Sequence, residues 1–180
     1  MIWVAWVLVF AWIFLLGVIA WGTLLAWRYF VTDASSLPQG SPEQPPITIL
    51  KPLKGMEFEI RENLVSFFEL DYPQFELLFN VAEANDPVIA VVQELMKAYP
   101  KVDATLTVGE VIVGHNPKIN NLILSYDKAK YDWNVVIDSN IRIERGYLRH
   151  IASHIKPNTG CITSVFVGEK PRGFGGWMER

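Results

Sequence analysis

Residues 133–140 read WNVVIDSN: five residues of mostly strand-forming type, followed at once by a carboxylate, a hydroxyl and an amide. Trp, Val and Ile fit the half-buried surface of a β-sheet, so residues 133–137 are predicted to form a strand. The change to polar residues at Asp138 marks the carboxyl end of that strand. This stretch therefore predicts a sheet, and it predicts that polar side chains collect at one edge of it.

The same alternation extends outward from this strand. Further strands are predicted at residues 47–50, where Pro52 and Gly55 end the run, and at residues 76–82, 104–108 and 161–166. Between them, apolar residues recur at helical spacing, which predicts helices near residues 60–68, 88–99, 119–126 and 148–155. Alternating strands and helices with short connections indicate an α/β fold, with a mostly parallel sheet covered by helices on both faces.

Composition excludes several classes of protein. The chain has 180 residues, of which 51% are hydrophobic, too many for a disordered polymer. Its 16 basic and 19 acidic side chains give a net charge of -3, which argues against a nucleic-acid partner, because such proteins need a basic surplus. Cys161 is the single cysteine, so a disulfide framework and a cysteine-rich zinc module are both impossible.

Residues 1–27 carry no charged side chain, and Arg28 is the first charged residue. This stretch is long enough to cross a bilayer as a helix. Five of the seven tryptophans lie here, and Trp3, Trp6 and Trp27 are near the ends, where indole rings favour the headgroup region. A signal peptide would have a basic start and a shorter apolar run, and a core helix apolar on every face would be unusual here. We expect a retained, single-pass membrane anchor, and Arg28 indicates that the following chain faces the cytoplasm.

Residues 32–46 are rich in Pro, Ser and Gly, a composition typical of an extended tether. A structured loop at a domain edge is the alternative for this stretch. We therefore expect three parts: an anchor helix at residues 1–31, a linker at 32–46 and a folded domain at 47–180.

Ligands of open parallel sheets bind at the carboxyl ends of the strands, which directs attention to the loops at residues 51–55, 83–86, 114–118 and 138–142. In the last loop, Asp138 and Asn140 offer oxygen atoms two residues apart. Mg²⁺ and Mn²⁺ favour oxygen ligands and recruit substrate phosphates, so this pair suits a metal beneath a nucleotide diphosphate. A turn-forming or helix-capping Asp is the common alternative.

The other loops hold weaker candidates. Asp86 can accept hydrogen bonds from a uracil ring or a ribose, or it can cap the helix that follows it. Lys118 opens a helix, where a cation and exposed N–H groups suit an anion; a solvated Lys, with Asn116 as the helix cap, is the simpler alternative. Lys51 and Lys54 precede Gly55, where the backbone can approach a ligand closely.

Other familiar sites are missing from the sequence. His150 and His154 are four residues apart, but no HExxH pattern surrounds them, so a half-exposed helix face explains them better. The chain contains no GxSxG, no P-loop and no GxGxxG, which argues against hydrolases, P-loop kinases and dinucleotide-binding dehydrogenases.

Four stretches together resemble a known family. They read ITILKPLKG (47–55), NLVSFFELDYPQFELLFNVAEANDP (63–87), GHNPKINNL (114–122) and VVIDSNIRI (135–143). In this order, and after a membrane helix, they closely resemble the start of the ceramide glucosyltransferases of glycosyltransferase family 21, a family-2-like group. Bacterial relatives that act on other membrane lipids, such as hopanoid-associated enzymes, belong to the same group.

The resemblance implies a glycosyltransferase-A fold, which is Rossmann-like with a mostly parallel sheet. It implies transfer of a hexose from a UDP-sugar, usually UDP-glucose, to a lipid hydroxyl such as that of ceramide. The implied cofactor is a divalent metal, Mn²⁺ or Mg²⁺, and the implied partners are the donor, a membrane lipid acceptor and the bilayer.

Site residues follow from the same resemblance. Asp86 matches the family's first aspartate, in the nucleotide-binding region, and Asp138 matches the second, which meets the metal and the diphosphate. Lys118 matches the lysine of the NPKINNL segment, and Asn140 stands where related enzymes have Gly, Asp or Asn. The expected nucleotide-sugar-binding set is Lys51, Pro52, Leu53, Asp86, Lys118 and Asp138, with Asp138 and Asn140 as the expected metal ligands.

One departure from the family pattern affects catalysis. The family's third aspartate, which is the general base, its QxxRW-type motif and its C-terminal membrane segments have no counterpart up to Arg180. We therefore assign no catalytic residue, and we expect a donor-binding amino-terminal part that is truncated at its C-terminal side and inactive by itself.

Two other functions remain possible. One is a truncated, non-catalytic nucleotide-binding membrane protein. The other is a tethered regulatory domain of receiver type, which would carry an acidic cluster after its first strand, where this chain has the basic residues Lys51 and Lys54.

Overall fold

The structure is a computed structural model that describes residues 2–33, 44–166 and 168. The chain divides into two compact units, residues 1–39 and residues 40–180. The first unit holds helix α1 (Ile2–Asp33), which continues two residues past its expected end. By length and composition, its segment Ile2–Arg28 is able to cross a membrane, and the side chains of that segment are exposed, unlike those of a core helix. Most of the expected linker lies outside the described residues.

The second unit alternates strands and helices as the sequence predicts. Its elements are β1 (Ile47–Leu53), α2 (Ile60–Phe68), β2 (Phe75–Val81), α3 (Val88–Ala98), β3 (Ala104–Val108), α4 (Pro117–Tyr126), β4 (Trp133–Val136) and α5 (Tyr147–Ser153). The strands formed by the described residues make one sheet of order β3-β2-β1-β4. Every neighbouring pair in it is parallel, which confirms the predicted architecture.

One face of the sheet carries the main apolar core. Ile49 on β1 and Leu77 and Phe79 on β2 are at most 1% exposed, and they pack against α2, α3 and α5. The helices contribute Leu64, Phe67, Val92, Leu95 and Leu148. Because burying one such side chain contributes about 1.5–3 kcal/mol, this face provides most of the hydrophobic stabilisation of the unit.

The opposite face, under α4, is thinner and more polar. Its apolar cluster is small, with Leu50 and Leu78 from the sheet and Leu122 from α4. Asn80 is fully buried near the carboxyl end of β2. Buried polar groups are costly unless they are hydrogen-bonded, so this face depends on paired polar side chains to hold its helix.

Glu76 organises the amino end of that polar face. Its Oε1 accepts a hydrogen bond from Thr48 Oγ1 at 2.6 Å and another from the Lys130 backbone N–H at 2.6 Å. The ammonium of Lys130 lies 3.5 Å from Glu76 Oε2 and also donates to Asp103 Oδ2 at 2.6 Å. The buried carboxylate therefore ties β1 and β2 to the segment that leads into β4.

Two predictions about strands were wrong. Residues 161–166 do not form a strand, and Val165 and Phe166 are 70% and 76% exposed. The run has suitable residues, but strand propensity produces a strand only where a neighbouring strand offers hydrogen bonds. The other error was the end of β1, which continues through Pro52 to Leu53. Since β4 ends opposite Leu50, Pro52 lies where β1 pairs with β2 alone, and such an edge position tolerates a missing N–H.

Replacement of the buried carboxylate tests the role of the polar face. We expect Glu76→Ala to lower the free energy of unfolding by about 2–4 kcal/mol, because the Thr48 hydroxyl and the Lys130 N–H lose their acceptor in the interior. Urea unfolding of the detergent-solubilised chain measures this. Glu94→Ala, which removes an exposed ion pair with Arg61, is the control and should cost less than about 1 kcal/mol. Equal losses in both variants would contradict the assignment.

Candidate functional site

The carboxyl ends of β1, β2 and β4 open into a cleft of about 430 Å³. Residues from all four loops that the sequence singled out lie in its wall. Of the seven predicted site residues, six line the cleft: Pro52, Leu53, Asp86, Lys118, Asp138 and Asn140. The seventh, Lys51, does not. The parallel sheet brings these separate segments together because its strands all end at the same edge.

Asp86 connects two walls of the cleft. Its Oδ2 accepts a hydrogen bond from the Gly55 N–H at 2.7 Å, and its Oδ1 accepts one from the Val88 N–H at 2.9 Å. Pro87 and not Asp86 is the N-cap residue of α3, but the Asp86 carboxylate bonds the first N–H of that helix and also holds the loop after β1. Gly55 has φ 66, a conformation that glycine adopts without strain. Each carboxylate oxygen keeps a further lone pair with which a ligand can bond.

Lys118 lies at the start of α4 and reaches across the cleft. The Asn116 side chain caps the helix by accepting from the Lys118 N–H at 3.0 Å, and Pro117 occupies the first turn. The Lys118 ammonium forms an ion pair with Asp138 Oδ1. The two side chains are 45% and 55% exposed, so the pair is accessible to solvent and to ligands.

Lys51 is buried beneath the cleft rather than exposed in it. Its side chain points to the apolar face of the sheet and is 1% exposed. The Nζ donates to the backbone oxygen of Asp138 at 2.6 Å and lies 3.9 Å from the centroid of the Phe67 ring, a cation–π distance. Burial lowers the pKa of the Lys51 ammonium to about 7, while the carboxylates of Asp138 and Glu57 act in the opposite direction.

The turn after β4 is held from several sides. The backbone oxygen of Asp138 accepts a hydrogen bond from the Lys51 ammonium. It also accepts one from the Ile141 N–H, at 3.2 Å. The Ser139 hydroxyl donates to Glu57 Oε2 at 2.7 Å, so the loop after β1 contacts this turn as well. Sequence reasoning missed Glu57 and Ser139, because nothing in the local pattern shows that two segments 82 residues apart meet.

A buried amide network supports the opposite wall. Asn80 Nδ2 donates to the Gly109 carbonyl at 3.0 Å and to Asn121 Oδ1, and Asn80 Oδ1 accepts from Ser125 Oγ at 3.1 Å. These bonds join β2 and the end of β3 to α4. The signal in the sequence is the polar residue Asn80, which follows the apolar run 77–79 within β2.

The neighbouring residue Asn120 shapes the loop before α4. Its Oδ1 accepts from the N–H groups of Val113 and Gly114 at 3.0 and 3.2 Å, and its Nδ2 donates to the Gly114 carbonyl at 3.0 Å. The two adjacent amides of the NPKINNL segment therefore have separate tasks: Asn121 holds α4 on the sheet, and Asn120 orders the loop that leads to Lys118.

Metal ligation would depend on few protein groups. Among the described residues, no set of three or more His, Cys, Asp or Glu side chains is arranged to hold a metal ion. Asp138 nevertheless faces a cation already, and Asn140 lines the same cleft. Mg²⁺ and chemically similar ions are commonly held by one or two carboxylates, with the remaining positions taken by water and substrate phosphates. The residues present therefore fit a metal whose coordination a substrate would complete.

Comparisons with known proteins place the chain among glycosyltransferase-like sequences. A ceramide glucosyltransferase of Komagataella phaffii is 40% identical over 111 residues, which covers 59% of this chain and 22% of the relative. Ceramide glucosyltransferase 3 of Caenorhabditis elegans is 43% identical over 111 residues, which covers 62% of this chain and 23% of the relative. The chain therefore spans less than a quarter of the length of these two curated relatives.

A solved structure and a family model complete the comparison. The mannosyltransferase PcManGT from Pyrobaculum calidifontis, in complex with GDP-Man and Mn²⁺, matches with a TM-score of 0.58 at 19% identity, covering 80% of this chain and 44% of that chain. This likeness shows the fold, which is the expected glycosyltransferase-A fold. The model of Glycosyl transferase family 21 matches residues 7–180. The chain belongs to glycosyltransferase family 21.

Proposed function

We propose that this chain is the donor-binding part of a membrane-anchored, metal-dependent glycosyltransferase. The reaction is transfer of a hexose from a UDP-sugar, with UDP-glucose as the first candidate, to a lipid hydroxyl such as that of ceramide. The observation that carries the proposal is the meeting of Asp86, Lys118 and Asp138, from three separate loops, in one cleft at the carboxyl edge of the sheet. Relatives named as ceramide glucosyltransferases support the choice of donor and acceptor.

Each wall of the cleft has a proposed role toward the donor. Asp86 accepts hydrogen bonds from the uracil ring or the ribose with the lone pairs that its backbone contacts leave free. Asp138 and Asn140 hold a divalent metal, which when bound neutralises charge on the leaving diphosphate. Lys118 and the amino end of α4 face the same phosphates, where a cation and the helix dipole both favour an anion. Pro52 and Leu53 form the wall beside them.

Lys51 acts at this site without touching the donor. Its ammonium is buried and bonds the main chain of Asp138, so the proposed role is to fix the turn that presents the Asp138 carboxylate. The resemblance implied nucleotide binding by this residue, and its burial favours the indirect role.

The membrane provides the acceptor. Helix α1 is the proposed anchor, with the sheet-containing unit on the cytoplasmic side, so that the cleft and a membrane lipid share one compartment. We assign no general base among the described residues.

Donor binding should depend on Asp138 and on a metal together. We expect Asp138→Asn to weaken UDP binding in the presence of Mn²⁺ by at least about tenfold, because the amide keeps the shape but loses the charge that holds the cation. Isothermal titration calorimetry on the detergent-solubilised chain measures this. Asp132→Asn, an exposed Asp just before β4 and so at the other end of the strand, is the matched control and should bind like wild type. Equal binding by all three proteins would remove Asp138 from the site.

Replacement of Lys51 should separate stability from site geometry. We expect Lys51→Met to melt at the same temperature as wild type or higher, since methionine fills the space without a desolvated ammonium. The amides of residues 139–141 should exchange hydrogen about tenfold faster, because the turn loses a charged hydrogen bond. Differential scanning fluorimetry and hydrogen-exchange mass spectrometry give the two readouts.

The control for this experiment behaves in the opposite way. Lys130→Met removes the ion pairs with Glu76 and Asp103, so it should lower stability and leave exchange at residues 139–141 unchanged. Unchanged exchange in Lys51→Met would show that Lys51 does not position the turn.

Topology is a separate test. Residues 2–27 should be present in the mature protein, and residues 47–180 should be digested by protease only when the cytoplasmic face of the membrane is accessible. Mass spectrometry of the mature amino terminus, together with proteolysis of sealed vesicles of both orientations, checks this. A mature protein that starts after residue 30 would identify the segment as a cleaved signal peptide.

A further inference from the structure

We propose that Lys118 occupies the cation position of Asp138 until metal and donor bind, and that it then moves to the donor diphosphate. This inference rests on the proposed function and deepens it, because it assigns the coupling between metal and nucleotide to one side chain. It predicts that Lys118 weakens the binding of metal when no nucleotide is present. It also predicts that Lys118 strengthens the binding of UDP when metal is present.

The first observation is the ion pair itself. The Lys118 ammonium contacts Asp138 Oδ1 inside the cleft, where the metal is expected. An ammonium and a divalent ion on that carboxylate oxygen compete for it, because two cations so close together repel each other. Metal binding at Asp138 therefore favours the departure of Lys118 from Oδ1.

The second observation is that the two partners differ in how firmly they are held. The main chain at Asp138 is fixed from below by Lys51 and from within the turn by Ile141. The Lys118 main chain is fixed by the Asn116 cap. Its ammonium, however, is at the end of a flexible four-carbon stem, where it contacts Asp138. The carboxylate can therefore stay in place while the ammonium changes partner.

The third observation is the low cost of the exchange. Both side chains are about half exposed, and exposed ion pairs contribute little to stability. Lys118 is also the second residue of α4, a helix of 10 residues, so a released ammonium remains beside backbone N–H groups that favour an anion. A diphosphate bound to both the metal and Lys118 would give each of these cations a more strongly charged anionic partner than the Asp138 carboxylate alone.

Coupling of the two ligands follows from this arrangement. Metal binding releases Lys118 for the diphosphate, and a diphosphate that attracts Lys118 frees Asp138 for the metal. Because binding linkage is reciprocal, each ligand raises the affinity of the other by the same factor. Part of that factor should disappear when residue 118 carries no charge.

The test measures Mn²⁺ and UDP separately and together on the full 180-residue chain in detergent. Electron paramagnetic resonance of free Mn²⁺ gives the metal affinity without nucleotide, and calorimetry gives the UDP affinity with and without Mn²⁺. For Lys118→Met we expect Mn²⁺ alone to bind about two- to fivefold more tightly, the range that an exposed ion pair allows. UDP in the presence of Mn²⁺ should bind at least about tenfold more weakly, and the coupling factor should fall.

Two further variants control for charge. Lys101→Met makes the same change in net charge at an exposed site before β3, away from the cleft, and it should leave the Mn²⁺ and UDP affinities unchanged. Lys118→Arg keeps a cation that can pair with Asp138, so it should keep the Mn²⁺ affinity near that of wild type.

The outcomes separate this inference from the proposed function. If wild type shows Mn²⁺-dependent UDP binding but Lys118→Met binds Mn²⁺ no more tightly than wild type, the exchange is wrong and the donor site stands. If Mn²⁺ alone binds neither protein, the exchange is likewise overturned. If wild type binds no UDP with Mn²⁺, the proposed function fails, whatever the effect on metal binding.

Discussion

The buried ammonium of Lys51 is the contact on which the geometry of the cleft depends. It lies on the apolar face of the sheet, against the Phe67 ring, and it donates a hydrogen bond to the main-chain oxygen of Asp138. A desolvated cation is costly to keep in a protein interior, as its lowered pKa indicates. Its position is understandable if the turn after β4 must stay in one place, since a carboxylate that binds a cation works only when its backbone is fixed.

The two faces of the sheet divide the tasks of stability and placement. The face under α2, α3 and α5 holds a continuous apolar core, which excludes water but does not by itself fix the register of polar groups. The face under α4 holds Glu76 at one end and Asn80 with Asn121 at the other. Hydrogen bonds are directional, so this face sets where α4 begins and where Lys118 lies.

The cleft by itself supplies only part of the contacts that a bound metal and nucleotide would need. Each carboxylate oxygen of Asp86 accepts one hydrogen bond from a backbone N–H, and Asp138 is paired with Lys118. The described residues supply few metal ligands of their own, so a metal here would be completed by substrate phosphates. A site of this type favours the metal–nucleotide complex over either component, which agrees with the coupling proposed for Lys118.

The sequence by itself determined most of the elements, the parallel sheet and the loops that line the cleft, because hydrophobic period and strand-end polarity are local properties. It failed at residues 161–166, which pair with no strand among the described residues, and it placed Lys51 among the ligand contacts, although that side chain is buried. Only the tertiary structure decided that Lys51 is buried under Asp138, that Ser139 meets Glu57, and that Lys118 pairs with Asp138. Contacts between distant segments depend on which strands are neighbours and which face each side chain takes, and a linear pattern does not contain that information.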